Sequence, residues 1–415
     1  MSELRRTRQP AGTTSGPEAP LDAAIGAVLR NDNCSGCGLC TLLDSGLTMQ
    51  LNDEGYLRPV RTGPSMMAAD AVGAFERACP GVRVNAMSPP ESWRHPTMGP
   101  IVQVWRAWAT DPEVRHMGSS GGVLTALSAW LLETGEVSRT IGARAGMTEP
   151  RRTVSVQLTT KEAVLGAAGS RYAPASNAAV AGAAEAGTAF VGKPCEVSAL
   201  GALTADQAEQ PLLLSFFCAG TPSQRATDSL TEQLGVPRGE RIRSLWYRGR
   251  GWPGRFTVVG EHGDEVSTSY EKSWGEALGP TVQWRCKICP DGIGESADVT
   301  AADFWSTDAR GYPDFTERSG VSALIARTPR GRDLVLRAMA AGVLDGAPMD
   351  IAELAAVQPL QNQRRETLLG RLIGARLAGR KVPLYRGFGL LAFALARPRQ
   401  SLRMARGAYR RGRRR

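Results

Sequence analysis

The chain has 415 residues, which is long enough for two or more domains and a sizeable core. Its eight cysteines are too few for a small disulfide scaffold, and its three histidines are too few for a histidine-rich metal site. The polar start of the chain lacks the features of a signal peptide, so we expect a cytoplasmic protein with reduced cysteines.

The net charge of +10 is concentrated near the C-terminal end. Residues 364–415 contain 16 Lys and Arg against one acid, Glu366, whereas the other 363 residues contain 34 basic and 39 acidic groups. A nucleic-acid interface would therefore depend on this tail alone, and we do not expect nucleic acid to be a partner. No segment has the eighteen or so apolar residues of a membrane span.

The first predicted elements are an N-terminal arm, residues 1–30, and a short helix within it, residues 21–29. The beginning of the arm is polar and rich in Gly, Pro and Thr, so we expect it to be disordered. The loop that follows contains Cys34, Cys37 and Cys40 at two-residue spacings with glycines between them. This spacing is typical of loops that bind three irons of a 4Fe–4S cluster, whereas zinc sites more often use two separated Cys-x-x-Cys pairs.

A 4Fe–4S cluster needs a fourth ligand, and the bacterial ferredoxin spacing would put it at position 44, which is Asp44. A predicted helical run, residues 66–75, leads instead to Cys79, and Pro80 follows it as it follows closing ligands in ferredoxins. We therefore predict Cys79 as the fourth ligand, after a long insertion. The alternative is an ordinary buried cysteine, which would leave three ligands in need of an external fourth.

A strand at 101–109, a glycine-rich loop and a helix at 123–133 are predicted next, and the loop reads Gly118-Ser119-Ser120-Gly121-Gly122. Its glycines let the backbone approach a phosphate, which the free amides of the first helical turn and the serine hydroxyls can bind. The loop matches neither the Walker A nor the Gly-x-Gly-x-x-Gly pattern. A capped helix start at a tight turn explains it equally well.

Two apolar runs, residues 188–191 and 212–217, are predicted as parallel strands, each followed by a helix. Cys195 and Cys218 come directly after them, at the edge where ligands bind in open α/β sheets. A single cysteine at such a point is more often structural, but two on one edge favour a site. The other predicted elements are a strand at 154–158, an alanine-rich helix at 177–185, an antiparallel hairpin of 245–251 with 255–260, strands at 297–301 and 321–326, and a helix at 333–341.

The last two cysteines, Cys286 and Cys289, form one Cys-x-x-Cys pair that is again followed by proline. With Cys195 and Cys218 they make a second set of four, so that two four-cysteine sites account for all eight cysteines. Each set is able to bind a 4Fe–4S cluster. Zinc is the main alternative for the second set, because one pair with two single cysteines is compatible with zinc.

In order along the chain, these motifs resemble the beta subunit of coenzyme F420-reducing hydrogenase and its dehydrogenase relatives, including ferredoxin-dependent reductases of the chlorophyll-cycle type. The resemblance covers roughly 290 residues, and seven motifs in one order make it specific. They are Cys34-x-x-Cys37-Gly38-x-Cys40, Arg115-x-x-Gly118-Ser119-Ser120-Gly121-Gly122-Val123, Gly169-Ser170-Arg171-Tyr172, Val191-Gly192-Lys193-Pro194-Cys195-Glu196-Val197, Phe217-Cys218-x-Gly220-x-Pro222-Ser223, Arg285-Cys286-x-x-Cys289-Pro290-Asp291-Gly292 and Asp298-Val299-Thr300-x-x-Asp303-x-Trp305.

The resemblance implies an α/β fold with an FAD-binding mixed α/β core and an N-terminal ferredoxin-like iron–sulfur module; the basic C-terminal tail lies outside the resemblance. The expected units are the arm, a 4Fe–4S module at 31–95, an N-terminal domain with the flavin loop at 96–205, a C-terminal domain with the second cluster at 206–345, and a helical, basic tail at 346–415. The implied cofactors are two 4Fe–4S clusters and FAD, with coenzyme F420 as a candidate co-substrate. The late position of Cys79 departs from the hydrogenase-type members and puts direct docking to a hydrogenase in doubt.

The same resemblance implies that the glycine-rich loop, together with Arg171 and Lys193, contacts FAD. A solvated lysine is the alternative for Lys193. His116 beside the loop and Asp303 at a strand end are candidate proton donors by residue type. The alternatives are a histidine that packs at a helix start and an aspartate that caps the following turn.

The expected function is electron transfer between the clusters, reduced by ferredoxin or another redox protein, and FAD, with hydride transfer to or from coenzyme F420 or a small-molecule substrate. Two alternatives stay open, an electron-transfer subunit of a larger redox complex and a zinc-stabilised interaction module with a basic tail. For the tail itself, apolar residues between 384 and 395 followed by arginines predict a basic amphipathic element at the inner face of an anionic membrane. The alternative is a solvated arginine-rich tail.

Overall fold

The computed structural model of the chain describes residues 19–306, 314 and 316–413. The first eighteen residues of the predicted arm lie outside the described residues. From Pro20 to Arg30 the chain is helical, and the apolar face of this helix is buried through Leu21, Ile25 and Val28. The predicted helix is therefore present, and residues 20–30 are helical, although the predicted bounds 1–30 assigned them to a disordered arm.

The described residues form sixteen α-helices and seventeen strands. The helices are α1 Pro20–Arg30, α2 Leu39–Leu43, α3 Ala71–Ala78, α4 Pro112–Met117, α5 Val123–Glu133, α6 Lys161–Gly166, α7 Pro194–Leu203, α8 Gln224–Gln233, α9 Tyr270–Lys272, α10 Trp284–Lys287, α11 Pro329–Ala340, α12 Ile351–Val357, α13 Pro359–Glu366, α14 Leu368–Leu377, α15 Leu390–Ala396 and α16 Pro398–Gly412. The strands are β1 Leu47–Leu51, β2 Leu57–Arg61, β3 Arg83–Asn85, β4 Trp93–His95, β5 Gly99–Ile101, β6 Gln103–Ala109, β7 Arg139–Ala145, β8 Thr153–Leu158, β9 Thr188–Gly192, β10 Leu212–Phe216, β11 Ile242–Trp246, β12 Arg255–Gly260, β13 Glu265–Ser269, β14 Val299–Asp303, β15 Ser322–Ala326, β16 Leu344–Pro348 and β17 Leu384–Arg386.

An eight-stranded mixed sheet organises the fold, in the order β16-β6-β15-β14-β10-β9-β7-β8. Strands β14, β10, β9 and β7 are mutually parallel, and β15 is antiparallel to both β14 and β6. Strand β6 therefore runs in the same direction as the parallel group. The carboxyl ends of five strands consequently lie along one edge of the sheet, which we call the carboxyl edge.

Both faces of the sheet are covered by helices, and the strands alternate between two cores. Leu214 and Leu324 belong to the core under α5 and α11, whereas their neighbours Leu213 and Ile325 point to the opposite face. On that face α7 and α12 supply the covering side chains. Since the central strands are buried on both sides, they are continuous apolar runs rather than alternating ones, which explains why the sequence predicted them well. The predicted α/β class is confirmed.

Most predicted elements of this sheet are present, with ends shifted by a few residues. Three predictions for other parts of the chain were wrong. The alanine-rich stretch 177–185 forms a single 3-10 turn, because Asn177 bonds to β9 and Gly182 adopts a φ of 81°. The helical run predicted from residue 66 begins only at Ala71, after Asp70 at a φ of 56°. The first hairpin strand lies at 242–246 rather than 245–251, and β13 adds a third strand to this small sheet.

A separate core holds the N-terminal cysteine module together. It combines α1, α2 and α3 with the hairpin of β1 and β2, around Leu21, Leu39, Leu43 and Phe75. Asp44 follows α2 and is almost fully buried, at 1% exposure. It accepts bonds from Arg61 (2.8 Å), the Ser65 hydroxyl (2.9 Å), and the amides of Gly46 and Met66 (both 2.9 Å). Asp44 therefore fastens the segment after β2 to the cysteine loop.

The segment after β16 wraps around the body instead of extending from it. Strand β17 pairs in parallel with β3 of the cysteine module, and α16 packs along α14. Gly370 and Gly374 permit this packing, because a Cβ on either would collide with the backbone of Ser401 or Ala405. Of the helices in the described part of the chain, none combines the length and the apolar composition that crossing a membrane requires.

Replacing Asp44 by Asn should lower the stability of the cysteine module. The hydrogen bond from Arg61 holds the pKa of Asp44 well below its usual value near 4. The carboxylate therefore stabilises the fold above about pH 4, and this contribution is lost as the pH falls below that value. We expect Asp44→Asn to reduce the free energy of unfolding by about 1–3 kcal/mol at pH 7.

Urea unfolding at several pH values measures this effect. The difference between the variant and the parent chain should shrink as the pH falls below about 4, because the Asp44 carboxyl of the unfolded parent chain then takes up a proton that the folded chain does not. A difference that stays constant with pH would contradict the role assigned to the Asp44 charge.

Candidate functional site

Several of the predicted site residues follow strands that end at the carboxyl edge. The loop after β6 carries His116 and the glycine-rich stretch, β9 leads to Lys193 and Cys195, and β10 leads to Cys218. Asp303 is the last residue of β14. The registers agree with this placement, because Ala107, Ser322 and Asp303 lie in one row across β6, β15 and β14. Tertiary structure thus collects residues from well-separated parts of the sequence at one edge.

The first cysteine set lines a single pocket. The four cysteines line it together with the apolar side chains of Ile25, Val28, Leu29 and Phe75. Cys34, Cys37, Cys40 and Cys79 are the four cysteines. Asp44 is not among the residues around this pocket, since its carboxylate is directed to the Arg61 network. The chain therefore brings Cys79 to the other three cysteines and uses the acid at position 44 elsewhere.

Local backbone geometry makes this pocket. Gly36 and Gly38 adopt φ values of 73° and 92°, a conformation that lets the loop turn after each cysteine. Cys79 ends α3, and its amide donates to the Phe75 carbonyl at 2.8 Å. Burial raises the pKa of the Cys37 thiol to about 11 and raises those of Cys34, Cys40 and Cys79 as well. Desolvated thiols such as these give up their protons only to a strong cationic partner, as metal ligands do.

The second cysteine set is assembled from three loops. Cys286 lies in α10, where its sulfur accepts from the Thr221 amide at 3.4 Å and from the Gln283 side chain at 3.6 Å. Gly220 has a φ of 130°, and a Cβ there would lie 3.1 Å from the Cβ of Cys286. The loop after Cys218 can therefore approach α10 only because it has no side chain at that point. Burial and the neighbouring Cys286 charge raise the pKa of Cys218 to about 12.

Cys195, a member of the second set, also lies close to the first set. It stands at the first turn of α7, and burial raises the pKa of its thiol. The charges of both Cys37 and Cys286 act on this pKa in the same direction. The two four-cysteine sets are therefore neighbours in space. Among the described residues, no group of three or more His, Cys, Asp or Glu side chains is arranged to hold a metal ion.

Arg285 joins the two sets, and the sequence analysis did not assign it a role. Its side chain is buried, and its guanidinium donates to the Pro80 carbonyl at 2.8 and 3.1 Å, directly after Cys79. Arg285 itself immediately precedes Cys286, and its guanidinium lies over the ring of Tyr385 at 5.6 Å. Burial opposes the charge, but Tyr385 and the neighbouring cysteines outweigh this and raise the pKa of Arg285. The sequence feature that could have pointed to Arg285 was its position directly before Cys286 in that motif.

The tail also reaches the second set. Arg364 donates to the carbonyls of Cys218 (3.0 Å) and Ala219 (2.7 Å), and Arg365 donates to the Pro290 carbonyl at 3.1 Å. These arginines belong to α13, so part of the excess charge counted in the tail is structural. Composition could not distinguish arginines that bind the core from arginines that face solvent.

The glycine-rich loop forms a tight junction at the start of α5. Gly122 has a φ of 73°, and no side chain caps the helix. Ser120 donates to the Val321 carbonyl at 2.8 Å, the Gly121 amide donates to the Ser322 hydroxyl at 2.9 Å, and Ser119 accepts from the Ser170 amide. Within the described part of the chain, the amides of Ser119, Ser120 and Gly122 have no protein acceptor. Together with the uncapped first turn of α5, they offer donors to an anion.

Two further loops meet this junction. The Gly251 amide donates to the His116 carbonyl at 2.9 Å, and a Cβ on Gly249 would lie 2.6 Å from the Met117 carbonyl. Likewise, a Cβ on Gly169 would lie 2.8 Å from the Arg248 carbonyl. Glycines on three loops thus allow the backbones of these loops to come into close contact. The His116 side chain is exposed beside them.

Asp303 is paired with a buried arginine in an aromatic cluster. Arg248 is 2% exposed, donates to the Asp303 carboxylate at 2.5 Å, and lies 4.7–5.0 Å from the ring centres of Trp252, Tyr270 and Trp305. Its second terminal nitrogen is buried and has no hydrogen-bond partner among the described residues. Asp303 therefore holds a cation in position, which the sequence analysis did not anticipate. The unpartnered nitrogen is a donor available to a ligand.

Lys193 and Arg171 have protein partners for their charged groups. Lys193 donates to the Glu196 carboxylate at 2.7 Å and to the Ala175 carbonyl at 2.8 Å, in a buried pair. Arg171 donates to Thr153, Leu245, Pro150 and Arg152 and so connects β8 with the small sheet. Lys193 lies beside Cys195 rather than at the glycine-rich loop. The expected contacts of both residues with FAD remain predictions.

Two models of known protein families match this sequence. The family model for the N-terminal part of the coenzyme F420 hydrogenase/dehydrogenase beta subunit matches residues 104–181, and that for its C terminus matches residues 186–351. Together they cover more than half of the 415 residues. The second cysteine set lies within the matched region, and the first set precedes it.

Three curated relatives and one solved structure support the match. The beta subunits of coenzyme F420 hydrogenase from Methanococcus voltae and Methanothermobacter thermautotrophicus are 27% and 26% identical, over 67% and 65% of this chain and 96% and 93% of theirs. That of Methanosarcina barkeri is 25% identical over 61% of this chain and 84% of its own. A chain of the F420-reducing [NiFe] hydrogenase complex from the same organism has a similar fold, with a TM-score of 0.50 and 22% identity over 66% of this chain and 94% of that chain. The protein belongs to the coenzyme F420 hydrogenase/dehydrogenase beta subunit family.

Proposed function

We propose that the chain is an iron–sulfur flavoprotein oxidoreductase, with a 4Fe–4S cluster in each cysteine set and FAD at the glycine-rich loop. Ferredoxin or another redox protein would exchange electrons with the clusters, and coenzyme F420 or another small molecule would exchange a hydride. Bound clusters carry single electrons, and a bound flavin exchanges pairs of them for a hydride. The observation that carries the proposal is the pocket lined by all four thiols of the first set, beside the second set.

The donor sets fit clusters better than single ions. Thiolates that share one zinc ion each lie about 2.3 Å from it and must nearly touch one another. In the first set, three of the cysteines instead come from one short loop with the spacing typical of a 4Fe–4S cluster, and Cys79 lines the same pocket. A zinc-stabilised interaction module is for this reason the weaker hypothesis.

The residues around the clusters have defined roles in the proposal. Gly36 and Gly38 orient three thiols, and the apolar walls of the pocket exclude water. Arg285 supplies a buried positive charge between the sets, which favours the more negatively charged, reduced state of a neighbouring cluster. Arg364 fixes the carbonyl of Cys218 and so holds the loop of that ligand.

The donors at the glycine-rich junction fit the flavin diphosphate. The amides of Ser119, Ser120 and Gly122 and the uncapped start of α5 can bind phosphate oxygens. The buried, unpartnered nitrogen of Arg248 offers a further charged donor nearby. His116 is exposed at the same junction and is the stronger of the two candidate proton donors, because Asp303 is committed to its ion pair with Arg248.

A second candidate function is an electron-transfer subunit of a larger redox complex. It is favoured because the relatives named above are subunits of coenzyme F420 hydrogenase. Turnover by the isolated chain distinguishes the two functions. An independent oxidoreductase should reduce a dye with reduced coenzyme F420 by itself, whereas a subunit that exchanges electrons only within a complex should not.

The first test is the cofactor content of anaerobically purified protein. We expect about eight iron and eight sulfide per chain, one flavin, and bleaching of the visible absorption by reduced coenzyme F420. Cys79→Ser should lower iron and sulfide to about four each. Ser45→Ala is the control, because Ser45 is an exposed residue of the same module that does not line the pocket, and this variant should keep the full content.

Colourless protein that contains zinc would disprove the proposal. Full iron content in Cys79→Ser would remove Cys79 from the ligand set while leaving the rest of the proposal intact.

A charge added at the glycine-rich loop should weaken flavin binding. Ser119→Asp keeps an acceptor for the Ser170 amide but places a negative charge beside the free amides. Repulsion of the diphosphate should weaken FAD binding at least about tenfold, with iron content unchanged. Titration of the flavin-free protein with FAD, followed by fluorescence quenching, measures this. Ser119→Asn is the isosteric neutral control and should bind FAD nearly as well as the parent; equal affinities for Asp and Asn would argue against this location.

Loss of the buried positive charge should lower a cluster reduction potential. Arg285→Gln removes the cation between the sets, so adding an electron becomes less favourable by on the order of tens of millivolts. Redox titration followed by electron paramagnetic resonance measures the shift. Arg285→Lys should restore most of it. Arg330→Gln, at the opposite edge of the sheet where Arg330 pairs with Asp298, should leave both potentials unchanged.

A further inference from the structure

An apolar helix lies exposed on the surface near the C-terminal end. Helix α15 reads Leu-Leu-Ala-Phe-Ala-Leu-Ala, and none of its residues is buried. Leu391 and Leu395 are 64% and 71% exposed, and Leu402 in the next helix is 52% exposed. We call residues 384–403, which contain these side chains, the surface segment. Contiguous exposed apolar side chains of this kind mark an interaction site in a folded protein.

The surface segment is held on the body of the protein. Before α15, Phe388 is buried at 3% exposure and lies under the guanidinium of Arg365 at 5.4 Å. After α15, Arg397 pairs with Glu366. Helix α16 then packs closely on α14 at Gly370 and Gly374. Because these contacts anchor both ends of α15, its leucines face outward in a defined position.

The charge around the surface segment has one sign. Residues 367–413 contain no Asp or Glu, and the preceding acid, Glu366, is already paired with Arg397. The exposed arginines in the segment are Arg386, Arg397, Arg399 and Arg403. Helix α16 continues this pattern with Arg406, Arg410, Arg411 and Arg413, all exposed. An apolar helix is thus bordered on both sides by exposed arginines, of which Arg397 is paired with Glu366.

We propose that the surface segment docks onto an anionic lipid bilayer, with the leucines of α15 in the outer acyl region and the flanking arginines at the phosphates. Apolar side chains that enter this boundary and arginines at headgroup depth are the two components of interfacial helix binding. Helix α15 has seven residues and a length of about 10 Å, so it lies in the plane of the interface and does not cross the bilayer.

A bilayer fits these features better than other polyanions. Nucleic acid would neutralise the arginines but leave Leu391 and Leu395 in water. A protein partner would have to present an apolar surface and acidic groups in an arrangement that matches this segment. Lipid needs no such arrangement, since its acyl region accepts bare leucine side chains and its headgroups accept arginine. The inference is independent of the proposed redox chemistry.

Co-sedimentation of the full chain with vesicles tests this inference. We expect binding to vesicles of phosphatidylcholine with 30% phosphatidylglycerol, weakened by salt, and little binding to pure phosphatidylcholine. Leu391→Gln with Leu395→Gln should weaken binding at least about tenfold, because two leucines lose their favourable transfer. Arg399→Gln with Arg403→Gln should also weaken it, by about fivefold for each charge removed.

Matched controls separate docking from misfolding. All replaced side chains are exposed, so the variants should keep the melting temperature and iron content of the parent. Leu336→Gln replaces a leucine that is 44% exposed on α11, outside the segment, and should leave binding unchanged. Absence of binding to anionic vesicles, or equal binding by the double leucine variant, would overturn the proposal. Binding to nucleic acid or to an acidic protein in place of vesicles would overturn it as well.

Discussion

The arrangement of the two cysteine sets depends on one buried cation. Arg285 reaches from the residue beside Cys286 to the carbonyl of Pro80 beside Cys79, and it does so in the interior, where a charge without partners would be strongly unfavourable. Carbonyl oxygens, an aromatic ring and nearby sulfur atoms compensate for its desolvation. The N-terminal module and the sheet are therefore joined through an electrostatic contact at the point where the two sets meet.

Arginine serves a similar purpose elsewhere in the fold. Arg248 holds Asp303 within an aromatic cluster, and Arg364 and Arg365 hold the loops of the second cysteine set. A planar guanidinium offers five donors in fixed directions, so it can satisfy several backbone carbonyls at once. This matters at the carboxyl edge, where irregular loops replace regular strand pairing. Part of the high arginine content therefore stabilises the fold. Other arginines are exposed, among them those of the surface segment.

The glycines of the carboxyl edge solve a related packing problem. Three loops approach one another at backbone distance through Gly169, Gly249 and the glycine-rich stretch, where any side chain would collide with a carbonyl. At this junction the amides of Ser119, Ser120 and Gly122 have no acceptor among the described residues. Packing and ligand binding thus make compatible demands on the same loop, which is why a structural and a functional interpretation of its sequence were both reasonable.

The sequence by itself determined the α/β class and the central strands, and it predicted that the eight cysteines form two sets of four. These depend on local apolar runs and short spacings, which the sequence displays directly. The alanine-rich stretch at 177–185 was predicted wrongly because side-chain bonds from Asn177 and the turn at Gly182 override helix propensity. Only the tertiary structure decided that Cys79 lies at the first pocket, that Asp44 does not, and that Arg285, Arg248 and Arg364 hold the site. Those contacts join residues from 17 positions apart (Asp44 with Arg61) to 205 positions apart (Arg285 with Pro80), and nothing in a local pattern specifies which distant groups will meet.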